Sequence, residues 1–232
     1  MVVTAGFHGE EPAGPLTFAH HFGEAAAYAA DRNVALRVYP CINPSGFERG
    51  QRYNASGEHP NNDFLRYVVA GQVREEVAVG EPFDSFSTFE GGPKETRALR
   101  EDLLRFAPPK AALDIHQDAW VKRACFYAYY FTERERHRAL MHRCVRWAKM
   151  GVNVAVHDNS RTDDCGLIVH HDGSVSDWFF RRGSQRVAVL ETSTRLSRQA
   201  CDALNLEWIR AFIDGAVEPQ RAGSSSRSRA SD

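Results

Sequence analysis

The chain has 232 residues, 43% of them hydrophobic, 25% charged and 11% aromatic, a balance that excludes a disordered or fibrous protein and supports a substantial core without staples. Lys+Arg 29 against Asp+Glu 30 leave a formal net charge of -1, so no whole-chain field draws in nucleic acid or an anionic membrane, and specificity must reside in a local site. No stretch reaches the ~18 apolar residues of a membrane helix, the first residues do not read as a secretory signal, and Cys41, Cys125, Cys144, Cys165 and Cys201 form no C-x-x-C pair, so a cytoplasmic protein with reduced thiols is expected.

In chain order, short apolar runs predict buried strands over residues 2–5, 35–42, 112–115, 125–131, 152–156 and 187–190. Helical patterns fall between them over 15–31, 94–106, 133–150 and 198–216. Pro93 suits a helix start, and Gly151 is expected as a left-handed cap closing the third helix. Residues 43–63 break into Pro, Gly, Asn and Ser, a connection long enough to suggest function. Alternating strands and helices predict one α/β domain over 1–219, followed by a Ser/Arg/Gly tail over 220–232 that cannot bury enough apolar area to order itself.

Three constellations could carry chemistry. His8 and Glu11, three apart in the turn after the first strand, can point toward one centre. His116 ends the apolar run 112–115, and in parallel sheets ligands collect at the carboxyl ends of strands, so His116 and His8 emerge on one rim. His, Glu and His plus a water make the open site typical of catalytic zinc. A single His116 capped by a carboxylate such as Asp118 is the plainer reading of that residue. Glu191 ends the run 187–190, where a strand-end carboxylate is either structural or, beside a metal, a proton acceptor. Tyr127, Tyr129 and Tyr130 read as core strand residues with one alternating member available to a pocket, and His170-His171-Asp172 reads as a loop at the mouth of the site.

Taken together and in order, His8-x-x-Glu11, Asn43-Pro44-Ser45-Gly46, Arg52-Tyr53-Asn54, His59-Pro60-Asn61-Asn62, Glu95-Thr96-Arg97, Asp114-Ile115-His116 and Glu191 resemble the zinc carboxypeptidases and their succinylglutamate desuccinylase and aspartoacylase relatives. The resemblance spans about residues 2–214 and includes Gly173-Ser174-Val175-Ser176-Asp177-Trp178 before the last strand. It implies a three-layer α/β/α sandwich around a mixed, mostly parallel sheet. One Zn2+ per chain would be held by His8, Glu11 and His116, with Glu191 as general acid/base and Arg52 polarising the scissile carbonyl. Asn61 and Asn62 would bind substrate.

Two departures stand out. Asn62 replaces the Arg with which the family clamps a substrate carboxylate, leaving Arg49, Arg161, Arg181 or Arg182 as substitutes. His59 replaces the Asp that supports the first zinc histidine, so another acceptor, Asp63 or a backbone carbonyl, is expected to fix its tautomer. The implied activity is hydrolysis of a peptide or amide bond by zinc-activated water. Deacylation of an N-acyl amino acid and a non-catalytic binding role are the alternatives. The expected partner is a small peptide or acylated amino acid, not nucleic acid or a membrane.

Overall fold

The computed structural model describes residues 1–156 and 160–217, so the tail expected over 220–232 lies outside the described residues. In chain order the elements are β1 (Val2–Ala5), α1 (Ala13–Asp31), β2 (Arg37–Tyr39), α2 (Pro44–Arg49), β3 (Leu65–Val69), β4 (Gln72–Arg74), β5 (Ser85–Thr88) and α3 (Lys94–Leu104). There follow β6 (Ala111–Asp118), β7 (Cys125–Tyr130), α4 (Arg134–Cys144), β8 (Lys149–Met150), β9 (Leu167–Ile168), α5 (Val175–Arg181), β10 (Arg186–Ser193) and α6 (Arg198–Val217).

The main sheet runs β2-β1-β6-β10-β7-β8, with β9 also beside β7. Its pairings are parallel except β10 with β7, which makes it mixed and mostly parallel. All eight residues of β6 are buried, polar Asp114, His116, Gln117 and Asp118 included, as expected for a strand covered on both faces. The two-residue period divides the side chains. Val3, Ala5, Leu113, Ile115, Ala188 and Leu190 join the core formed with α1, α4 and α6. Val2, Ala112 and Val187 join the opposite core, which holds residues of α3, α5 and β3. The outcome is the expected three-layer sandwich, and the second layer carries an additional antiparallel sheet, β4-β3-β5.

Several expectations need correction. The helix expected over 133–150 ends at Cys144, because Lys149 and Met150 pair with Cys125 and Phe126 as β8 instead. Gly151 is therefore no helix cap: it is buried after β8 and its N–H donates to the Phe126 carbonyl at 2.7 Å. Residues 152–156 form no strand, only a bridge from Ala155 to Arg161. Pro93 occupies the N-cap of α3 and not its first turn. Inside the long connection over 43–63 lies α2, whose N-cap Asn43 accepts from the Gly46 N–H at 2.9 Å.

Candidate metal centre

The site forms where the main sheet's strands end. In register, His116 of β6 lies opposite Glu191 of β10, and Glu191 lies opposite Tyr127 of β7. Residues 112, 114 and 116 share one face of β6, as 187, 189 and 191 do on β10, so His116 and Glu191 project toward the second layer. The turn after β1 delivers His8 and Glu11 to the same place, closed by the Glu11 N–H donating to the His8 carbonyl at 3.2 Å.

Fully buried Asn43 fixes this turn. Its side-chain amide donates to the Phe7 carbonyl at 3.2 Å and the Arg52 carbonyl at 3.1 Å, while its backbone N–H donates to Gly6 at 2.8 Å. Gly9 lies so close to the backbone of Gly46 and Gln51 that a Cβ there would collide with both. Asn54 and the start of α3 hold the next loop: Asn54 donates to Glu95 at 2.8 Å and Thr96 donates to the Pro60 carbonyl. The Asn-Pro-x-Gly, Arg-x-Asn and Glu-Thr signatures thus place His8, Arg52 and His59 around one point.

His8 Nδ1 lies 2.6 Å from Glu11 Oε1, and His116 Nδ1 lies 2.9 Å from Glu11 Oε2. The three buried donors lie within 4.8 Å of one another and could hold a metal ion. The second nitrogens are also engaged: His116 Nε2 lies 2.9 Å from Asp114 Oδ2, and His8 Nε2 lies 2.9 Å from His59 Nε2. Such outer contacts are what fix a ligand histidine's tautomer and leave the inner nitrogen for a metal. The sequence-based expectation of Asp63 or a carbonyl behind His8 is corrected, since Asp63 pairs with Arg66 and His59 itself meets His8. Likewise Asp114, not Asp118, faces His116. Asp118 accepts from the Tyr127 hydroxyl at 2.6 Å and from the Trp120 and Val121 N–H groups. Asp114 was available to sequence reasoning as the residue two before His116 on the same strand face.

Charge treats the three donors differently: burial alone would lower His116, but the carboxylates of Asp114 and Glu11 hold it well above the ordinary histidine value, so a metal at its Nδ1 would have to displace a proton. Burial pulls His8 below its ordinary value against the opposing charge of Glu11. Burial and the proximity of His8, Arg52 and His116 bring His59 down to about 3, so both imidazoles are neutral at pH 7. Burial opposes ionisation of Glu11, but His8 and His116 overcome it and hold the carboxyl below the usual carboxylate range. Glu191 is the opposite case: burial pushes it up, and Glu11, Asp118 and Asp114 add to this against the pull of His116. Glu191 Oε2 is buried without a hydrogen-bond partner.

A cavity of about 490 Å³ opens over these residues. Arg52, Asn61, Asn62, His59 and Glu191 line it, together with the aromatic Trp120, Tyr127, Tyr129 and Phe131 and the polar Glu75, Glu76, His170 and Asp172. Two tyrosines of β7 therefore reach it, not one. Arg52 Nη1 sits 3.2 Å from Glu10 Oε1 and 3.4 Å from Glu11 Oε1. The Oδ1 atoms of Asn61 and Asn62 are buried and unpartnered. Arg52 is the only Lys or Arg among the described residues that line the cavity; Arg49, Arg161, Arg181 and Arg182 are not brought there. His171 turns away to Asp177 at 3.0 Å.

No family model matches the sequence, and no curated protein matches it significantly. Solved structures do. A candidate metallopeptidase from Shewanella baltica OS155 superposes with TM-score 0.72 at 28% identity, over 92% of this chain and 75% of that one. Another from Shewanella amazonensis SB2B gives TM-score 0.72 at 26% identity, over 92% and 76%. A metallo-carboxypeptidase from Burkholderia cenocepacia shares the fold at TM-score 0.60 and 15% identity, over 92% and 56%.

Proposed function

We propose that this chain, which has the fold of the zinc carboxypeptidase superfamily, is a zinc-dependent hydrolase that cleaves a peptide or amide bond. The observation that carries the reading is the convergence of His8, Glu11 and His116, with the outer nitrogens of both imidazoles engaged, one strand away from Glu191, whose buried Oε2 has no hydrogen-bond partner. His8 Nδ1, His116 Nδ1 and the Glu11 carboxylate would hold the metal. Two His and one carboxylate match the nitrogen and oxygen donors of catalytic zinc, whereas a closed structural site would want four ligands. When bound, zinc supplies Lewis acidity, acidifying water and polarising a carbonyl oxygen.

The chain's own residues supply the rest. Glu191, its basicity raised by burial, takes the proton of the attacking water and returns it to the departing amine. The Arg52 guanidinium, held at the cavity wall by Glu10, stabilises negative charge developing on the carbonyl oxygen. Asn61 and Asn62 present amides to the substrate backbone. Glu191→Gln tests the division of labour, since it keeps the side chain's shape and all three ligands. On a mixed panel of short peptides and N-acyl amino acids, the variant should keep its zinc and lose turnover by ~10² or more. Near-normal turnover would assign the proton transfer to another residue.

A further inference from the structure

The two candidate histidine ligands are backed by different groups. His116 Nε2 faces the Asp114 carboxylate at 2.9 Å, and Asp114 is in turn held by the Thr4 hydroxyl at 2.8 Å. His8 Nε2 faces another imidazole, His59, whose Nε2 lies 2.9 Å away with the two rings tilted by only 9°. A neutral imidazole carries one N–H donor and one acceptor nitrogen, so a hydrogen bond between two Nε2 atoms needs a single proton and a fixed direction. If His8 gives its Nδ1 lone pair to a metal, its proton must be on Nε2. His59 must then accept on Nε2 and carry its own proton on Nδ1.

We infer that His59 is a positioning residue for the metal centre: its Nε2 accepts the Nε2–H of His8, fixing the His8 tautomer and ring orientation with a neutral acceptor where His116 has a charged one. The inference rests on the metal-centre reading given above. Its place in the fold supports it. His59 sits in the loop anchored by Asn54 to Glu95 and by Thr96 to Pro60, so α3 as well as the His8 turn holds the acceptor in place. Its ring also packs edge-on against Tyr53, with centroids 5.9 Å apart. Because hydrogen bonds to ionised acceptors are roughly twice as strong as those to neutral ones, His8 is the less firmly backed of the two histidine ligands.

The test measures zinc affinity by competition with a chromophoric chelator for the wild type, His59→Ala, His59→Gln and His116→Ala, with the unfolding midpoint of each taken without metal. Loss of an outer partner typically costs 10–100-fold in affinity, so His59→Ala should weaken zinc by that factor. His59→Gln, whose Oε1 can accept from the same N–H, should stay within about threefold of wild type. In zinc-loaded, ¹⁵N-labelled protein, a scalar coupling across the hydrogen bond should link His8 Nε2 to His59 Nε2, with His59 protonated at Nδ1. Equal affinity in wild type and His59→Ala would overturn the inference alone. So would His59→Gln binding as poorly as His59→Ala while both unfold at the wild-type midpoint. Wild-type protein that binds zinc no better than His116→Ala would instead remove the metal centre and the inference with it.

Discussion

Individual residues in this protein are tuned by burial far from the cavity as well as within it. His137 on α4 is 2% exposed, packed against Trp208 and Phe212 of α6 and Tyr130 of β7, and its Nδ1 meets the Glu133 carbonyl at 3.2 Å. Burial lowers it to about 4, with Arg186 and Arg136 acting in the same direction against the backbone bonds. A histidine depressed in the folded state takes up its proton more readily when unfolded, so its neutral, packed form favours folding above the ordinary histidine value. That advantage is lost as pH falls from about 6.5 toward 4. Between pH 7 and pH 5 the loss amounts to about 2 kcal/mol, taking ordinary and folded values from the same pair. Urea unfolding at the two pH values should show a smaller stability loss for His137→Gln than for wild type. An equal loss in both would show that other groups control the acid limb.

At the scale of elements, the legible parts were those whose role is written in local pattern. β1, β6 and β10 carry short apolar-rich segments over 2–5, 112–115 and 187–190 because they are buried on both faces, and the helices between them show helical periodicity. Strands β4 and β5 left no such signal. Gln72 and Val73 of β4 and all four residues of β5 are exposed, so neither alternation nor an apolar run marks those two strands. β8 was hidden for a different reason. Its two residues continue a helical pattern, and only pairing with β7, a tertiary event, ends α4 early. The turn carrying His8 and Glu11 depends on the close approach of Gly9 to Gly46 and Gln51. Gly9→Ala should push that turn off α2, costing ~1–3 kcal/mol of stability and weakening metal binding at least tenfold. Gly23→Ala is the matched control: the position is exposed on α1 with open space around it, and the change should stabilise by ~0.5–1 kcal/mol without touching metal affinity. If Gly9→Ala binds zinc as tightly as Gly23→Ala does, the turn is not what presents the ligands.

For the whole molecule, charge placement matters more than net charge. No helix among the described residues is long and apolar enough to cross a membrane. Among the described residues lining the cavity, Arg52 faces Glu10 and Glu11, and Glu75, Glu76 and Asp172 add negative charge. The substitutes considered for a carboxylate clamp are engaged elsewhere: Arg49 with the Ser45 carbonyl, Arg161 with Asn153, Arg181 with the Tyr67 hydroxyl, and Arg182 over the Trp178 ring. Asn62 can offer only neutral hydrogen bonds. Amidating or esterifying a substrate's terminal carboxylate should therefore change kcat/KM by less than about tenfold, equivalent to ~1.4 kcal/mol. A thousandfold loss would require a cationic clamp. The convergence of His8, Glu11 and His116, the candidate ligands, was legible in the sequence because each follows a recognisable strand or turn. The partners of their outer nitrogens were less so, since the link from His8 to His59 spans 51 positions and only the assembled loops reveal it.

The central claim is that His8, Glu11 and His116 share one catalytic metal. Its most direct test is the zinc-to-protein ratio of purified wild type and His116→Ala, measured by mass spectrometry after dialysis against the same trace-zinc buffer. Wild type should retain about one zinc per chain, and the folded variant, left with two ligands, should bind it weaker by orders of magnitude and come out empty. Stoichiometric zinc in a folded His116→Ala protein would contradict the account.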